Sequence, residues 1–270
     1  MKKLISLLSL LICSNAFAAG GFTWMSSLSK ATGLDEVLHH AFPTVHHTEH
    51  IVTFIFVGLI FLVITLLYRM KVTNVEAAVV PDKGVTFRNF VEMYGSFIYG
   101  QAKAVLGEET APKYYNFVAS LFIMIFFSNA IGLIPGFLPP TESINTTLAL
   151  GVLSFVYFNL KGCKELGTLN YIKHFAGPLW HLAILIFPIE IISTCIRPIS
   201  LALRLYGNMF GDHMVLGTFS NLAPYVVPVV FLFLGLLVCF IQAYVFTMLS
   251  MVYISLATAH HDHDEHHAHH

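Results

Sequence analysis

Apolar residues run in long blocks, from Ile51 to Leu67, Tyr114 to Ile134 and Ile144 to Leu160. As helices rising about 1.5 Å per residue, such blocks cross a hydrocarbon core of roughly 30 Å. Two later blocks, Leu179 to Phe219 and Tyr225 to Ala257, are too long for a simple crossing. The shorter alone makes a helix of about 50 Å. Ordinary tilts reach about 40°, so these blocks need a steeper slant or breaks. Pro188, Pro198 and Pro228 are the places to bend. The pattern predicts a slanted helical hairpin joined at Ser220–Pro224.

Residues 84–106 follow a different rule. Phe87, Phe90, Val91, Tyr94, Ile98 and Val105 recur at helical spacing, with Arg88, Glu92 and Lys103 elsewhere on the wheel. This predicts an amphipathic helix lying on the membrane face, or a soluble connector helix. The expected fold class is an all-α integral membrane protein of about five membrane helices. These include a long, steeply tilted C-terminal helical hairpin, and one cytoplasmic-face amphipathic helix joins them. The expected elements are span 1 at 51–68, the interfacial helix at 84–106, span 2 at 114–134, span 3 at 144–160, and the tilted hairpin at 179–219 and 225–257.

Composition agrees with that class. Of 270 residues, 56% are hydrophobic and 11% charged, and mean hydropathy is +0.74. A soluble domain carries about a quarter of its residues charged. A net charge of −1 implies no polyanion, so nucleic acid is not an expected partner. Lys2 and Lys3, an apolar run to Ile12 and small residues at Ala16 and Ala18 predict a signal peptide over 1–18. A His-containing extracytoplasmic segment over 19–50 follows, then a membrane domain over 51–257 and a His-rich cytoplasmic tail over 258–270. Residues 69–113 hold six Lys or Arg, whereas the proline-rich segment 135–145 holds none. The positive-inside rule puts the former in the cytoplasm and the latter outside. That matches an exported N-terminus.

The hairpin carries charges at lipid depth. Glu190, Arg197, Arg204 and Gly211 are spaced by seven and form a slowly drifting stripe. An Arg near the bilayer centre costs about 3 kcal/mol on insertion scales, so it belongs against protein or a wet cavity. Arg204 pairs either with a carboxylate of its own chain, Glu190 or Asp212, or with one on another subunit. Ser200 and Asn208 lie within four residues of it, and Gly207-x-x-x-Gly211 permits a close helix approach. Gln242 needs partners across the hairpin. His213 can relay protons or serve structure. A self-contained channel or transporter would use the same charges.

Three stretches carry a resemblance: Phe187-Pro-Ile-Glu-Ile-Ile-Ser, Arg197-Pro-Ile-Ser-Leu-Ala-Leu-Arg-Leu-Tyr-Gly-Asn-Met-Phe-Gly and Ile241-Gln-Ala-Tyr-Val-Phe-Thr-Met-Leu-Ser-Met-Val-Tyr-Ile. Phe126-Phe-Ser-Asn-Ala-Ile-Gly-Leu-Ile-Pro-Gly136 adds a fourth. The chain resembles the subunit a family of the bacterial F-type ATP synthase over roughly residues 45–258. The resemblance implies a stator subunit in the bacterial inner membrane, N-terminus outside and C-terminus cytoplasmic. It implies two proton half-channels beside a subunit c ring, contact with the subunit b stalk and lipid, no cofactor, and no nucleotide binding or catalysis by this chain alone. Arg204 falls on the family's essential arginine and Glu190 on the acid of the cytoplasmic half-channel. Asn208, Gln242, His213 and Ser200 complete the expected proton path. Arg204, Gly207 and Gly211 are expected to face the ring. Gly235 stands where some members have histidine, and Asn129 matches a family asparagine.

Overall fold

The computed structural model describes residues 24, 27, 49–71, 84, 86–134, 136–167, 171, 180–222 and 227–258. The expected signal peptide and the His-rich tail lie outside the described residues, as does nearly all of 19–50. Six helices make up the rest: α1 Glu49–Lys71, α2 Phe87–Leu106, α3 Ala111–Ala130, α4 Ile144–Leu166, α5 Trp180–Leu222 and α6 Val227–Thr258. Short 3-10 turns at Ile131–Leu133 and Pro140–Glu142 lie between α3 and α4. Every helix except α2 is long and apolar enough to cross a membrane. The protein is therefore a multi-pass membrane protein. Its two ends are called here the basic end, where α2 lies, and the proline-loop end, where the α3–α4 connection lies.

The two long helices are unbroken. Pro188 and Pro198 both sit inside the 43-residue α5. At about 1.5 Å per residue α5 is about 64 Å long, so slant rather than interruption must reconcile it with a bilayer. The helix also runs to Leu222, past the expected joint at Ser220. Pro228 falls in the first turn of α6, where its missing N–H costs nothing.

The core is built where α6 meets α2, α3, α4 and α5. Ala243, Phe246, Met251 and Ile254 of α6 are buried with Tyr114, Val118 and Ile125 of α3 and Leu201 and Leu205 of α5. α4 packs against α5 most closely of all. It presents a small-residue stripe of Thr147, Gly151, Ser154 and Gly162, all buried, at near-helical spacing. A Cβ on Gly151 would lie 2.6 Å from the Pro198 carbonyl oxygen, so only glycine allows this approach. Ser154 donates to Ser250 of α6 at 3.0 Å, and Ser250 donates to the Phe246 carbonyl. Small polar groups thus join helices where lipid supplies no hydrophobic drive.

The amphipathic helix α2 starts at Thr86, whose side chain accepts from Asn89 N–H, and stops at Gly107 with φ 82°. Its apolar face is divided. Ile98, Ala102 and Leu106 are buried against the bundle, whereas Phe87, Phe90, Met93 and Phe97 are exposed along the adjoining flank. Tyr94 donates to the Ala119 carbonyl at 2.6 Å, and Tyr244 of α6 donates to Gln101 at 3.0 Å. Burial pushes the Tyr94 phenol well above its ordinary pKa, so it stays a donor. α2 is thus joined to both α3 and α6. Its exposed aromatic flank suits an interfacial helix rather than a connector lying in water.

Candidate functional site

The polar residues of α5 divide into three groups along the helix. At the basic end, Glu190 accepts from Arg197 at 3.4 Å. The two are seven residues apart, so the predicted stripe brings them onto one face. The Arg197 guanidinium also stacks over Tyr253 of α6, 5.3 Å from its centroid. Glu190, Thr194 and Arg197 line a recess of about 120 Å³ with Phe158, Tyr171, Leu256 and Ala257. Tyr171 donates to Asn159 Oδ1 at 2.8 Å. Burial pushes its phenol up to about 12, which leaves it a donor and no proton carrier near neutrality. The Thr194 hydroxyl is buried with no hydrogen-bond partner among the described residues.

Arg204 lies near the middle of α5. Its side chain is exposed and makes no hydrogen bond or ion pair with any described residue. Both own-chain candidates are otherwise placed: Glu190 holds Arg197, and Asp212 stands two turns on toward the proline-loop end. Ser200, one turn before Arg204, is exposed as well. A Cβ on Gly207 or Gly211 would meet nothing within 4 Å. Around them Ile196, Leu203, Phe210 and Met214 are exposed. The cation therefore stands on an apolar, small-residue face that no part of the described chain covers.

Beyond Arg204, Asn208 Nδ2 donates to Gln242 Oε1 across the hairpin at 2.7 Å. Gln242 is 3% exposed and its Nε2 is left without a partner. A recess of about 390 Å³ opens beside them, lined by Gly207, Asn208, Gly211, Asp212, Ile241 and Gln242. Gln242 thus braces Asn208 rather than Arg204. Asn129 of α3 accepts from the buried Thr141 hydroxyl at 2.7 Å, which fixes the proline loop to the bundle.

His213 meets a group that sequence reasoning missed. Its Nδ1 lies 3.2 Å from Glu142 Oε2, in the 3-10 turn ahead of α4. The two residues are 71 apart in sequence and share no element. One signal was available: Glu142 is the sole charged residue in 135–145. Gly235, which by the resemblance stands where some members have histidine, is buried. A Cβ there would lie 2.8 Å from Leu133 Cδ2. The position is occupied by packing, and the contact to His213 comes from another element.

Known proteins supply the frame for this stripe. The model of the family described as ATP synthase A chain matches residues 50–255. The ATP synthase subunit a of Bdellovibrio bacteriovorus is 47% identical over 192 residues, which is 71% of this chain and 83% of that protein. The subunit a of Sorangium cellulosum is 41% identical over 216 residues, 80% of this chain and 84% of the relative. Subunit a 1 of Syntrophotalea carbinolica is 39% identical over 230 residues, 84% and 91%. A five-span helical chain with an uncovered arginine on its long helix, matched over most of its length in this way, belongs to the ATP synthase A chain family, the membrane-sector stator subunit of F-type ATP synthase.

Proposed function

We propose that this subunit moves protons between two half-channels and a ring of subunit c hairpins, with Arg204 as the fixed charge between them. The observation that carries the reading is Arg204 itself: a guanidinium at mid-helix, unpaired among the described residues, on a face left open for another chain. Arginine does not give up its proton, so it cannot carry protons. It can hold a partner's carboxylate ionised, because an opposite charge within about 4–6 Å lowers a carboxyl pKa by roughly 1–3 units. The ring acid then discharges into one half-channel, and the next site is loaded from the other. A neutral acid crosses lipid readily, whereas a bare carboxylate does not. The drive is about 2.3 kcal/mol per charge per 100 mV.

The recess holding Glu190 serves as the half-channel of the basic end, which the positive-inside rule assigns to the cytoplasm. The recess at Asn208, Asp212 and Gln242 serves the proline-loop end, assigned to the outside. Ser200, Gly207 and Gly211 lie along the ring-facing surface. The N-terminus is then outside and the C-terminus cytoplasmic, in a bacterial inner membrane. Subunit b and lipid cover other surfaces. The chain has no phosphate-cradling glycine loop, so nucleotide chemistry is left to other subunits.

Glu190→Gln tests the inner half. Assembly should be preserved, since the amide keeps the shape and still accepts from Arg197. ATP-driven proton pumping in inverted vesicles should slow by about 100-fold, the lower end of the range for loss of a positioned proton-transfer group. Failure to assemble would mark Glu190 as structural. Reconstitution of the chain alone tests the whole reading. No proton current is expected without the ring, and selective conduction by the isolated chain would overturn a ring-dependent mechanism.

A further inference from the structure

We infer that the seam of α1, α2 and α3 binds one phospholipid with an ammonium headgroup, the headgroup in a tyrosine cage at the basic end and an acyl chain in an apolar recess at lipid depth. The cage is a recess of about 550 Å³. α2 supplies Glu92, Gly95, Ser96 and Tyr99, which share one face at helical spacing. Tyr68 from the last turn of α1 and Tyr115 from the second turn of α3 close it. The Tyr99 and Tyr115 rings stand edge to face with centroids 5.7 Å apart, so they form two walls of a corner. A Cβ on Gly95 would lie 2.7 Å from the Tyr115 hydroxyl, so glycine is what lets that phenol lean over α2. Electron-rich ring faces beside a carboxylate suit an ammonium group. Glu92 is the one charged residue among the described residues that line the cage. Its Oε1 accepts from Arg88 at 2.6 Å, and its Oε2 bonds to no described residue. Tyr99 already meets one cation of its own chain, Lys103 Nζ, 5.5 Å from its centroid. Both of these α2 cations are paired, Arg88 with Glu92 and Lys103 with Glu108. An anionic headgroup therefore finds no spare positive charge on α2. A zwitterion presents its ammonium to Glu92 and the rings, and its phosphate to the hydroxyls of Ser96 and the three tyrosines, none of which bonds to a described residue.

The second half of the site continues along the same seam. A recess of about 280 Å³ lies between α1 and α3, and every described residue lining it is apolar, among them Phe61 and Ile64 of α1 and Ile123, Met124 and Phe127 of α3. Ile64 is one turn before Tyr68, and Ile123 is two turns beyond Tyr115. About 6–12 Å of helix axis therefore separates the two recesses, a gap that the glycerol part of the lipid bridges. One turn of a helix about 10 Å across fills about 420 Å³, so the deeper recess takes a single chain and not a partner's helix. Tyrosines by themselves mark any membrane interface. A carboxylate-bearing cage above an apolar slot, in line on one seam, matches an amphiphile. The site shares no residue with the proton path and does not rest on that reading.

The test uses the intact, delipidated complex and phosphatidylethanolamine carrying a diazirine on its acyl chain. After irradiation, the labelled peptides of this subunit are mapped. Labelling should saturate and concentrate on α1 and α3 around Ile64 and Ile123. Unlabelled phosphatidylethanolamine should displace the probe, whereas phosphatidylglycerol with the same chains, or ethanolamine alone, should not at equal concentration. Tyr68→Leu should raise the half-saturating concentration about 5-fold, the equivalent of a cation–π contact of about 1 kcal/mol. Tyr68→Phe keeps the ring and should bind like wild type. Labelling that never saturates, equal displacement by phosphatidylglycerol, or wild-type affinity in Tyr68→Leu would each overturn the inference. Displacement by ethanolamine alone would overturn the two-part site. A photoreactive side chain placed at Ile64 should capture lipid, and capture of another subunit there would assign the seam to a protein partner instead.

Discussion

Arg204→Ala is expected to abolish ATP synthesis driven by a proton gradient, with the complex still assembled. The side chain is exposed and makes no hydrogen bond or ion pair with the described residues, so its loss should not unfold the subunit. What disappears is the charge that keeps a passing carboxylate ionised. If that charge is worth roughly 1–3 pKa units, ionisation opposite the stator becomes about 10- to 1,000-fold rarer. A second effect adds to the first. Without a fixed cation between the recesses, protons can pass from one to the other without turning the ring, and vesicles should leak. Synthesis rate and passive leak measured on one preparation check both. Arg204→Lys should recover part of the barrier, since the charge is kept but the planar fork is lost. Normal coupled synthesis in Arg204→Ala would refute the assignment.

Gly151→Val is expected to act through packing and to be nearly as damaging. The obstacle is the Pro198 carbonyl oxygen, 2.6 Å from where a Cβ would lie, and backbone cannot swing aside. Overfilling a packed interior commonly costs about 1–3 kcal/mol. Here relief requires moving α5, and with it Arg204 two turns along. The expected result is a marked fall in assembled subunit in the membrane and a Tm several degrees lower for what remains. Gly207→Ala supplies the contrast. Nothing lies within 4 Å of its Cβ, so the isolated chain should keep its Tm. An unchanged Tm and yield in Gly151→Val would show that the two helices are not held this closely.

Much of this was legible because lipid imposes simple rules. Long apolar runs must be helices, since no other open segment satisfies its backbone in hydrocarbon. The spacing of seven put Glu190 and Arg197 on one face, and the pair forms. Gln242 had to find a partner across the hairpin, and it found Asn208. Other features were illegible for definite reasons. Whether α5 slants or breaks at its prolines depends on neighbours that re-satisfy the freed carbonyls, which no single-helix pattern encodes. The meeting of Glu142 with His213 depends on how the proline loop folds back over α5. The closeness of α4 and α5 rests on Gly151, one glycine among 18 in the chain. Its importance appears only once Pro198 is known to lie against it.

The position of α6 in the core bears on how the subunit is made. It is translated after the other five described helices, yet its Ala243, Phe246, Met251 and Ile254 are the residues around which α2, α3, α4 and α5 close. Until it inserts, α2, α3, α4 and α5 lack a common partner, and Asn208 lacks Gln242. A ribosome stalled before this stretch leaves a bundle with no centre, a ready substrate for membrane proteases. Formation of the Asn208–Gln242 bond is thereby tied to the end of translation.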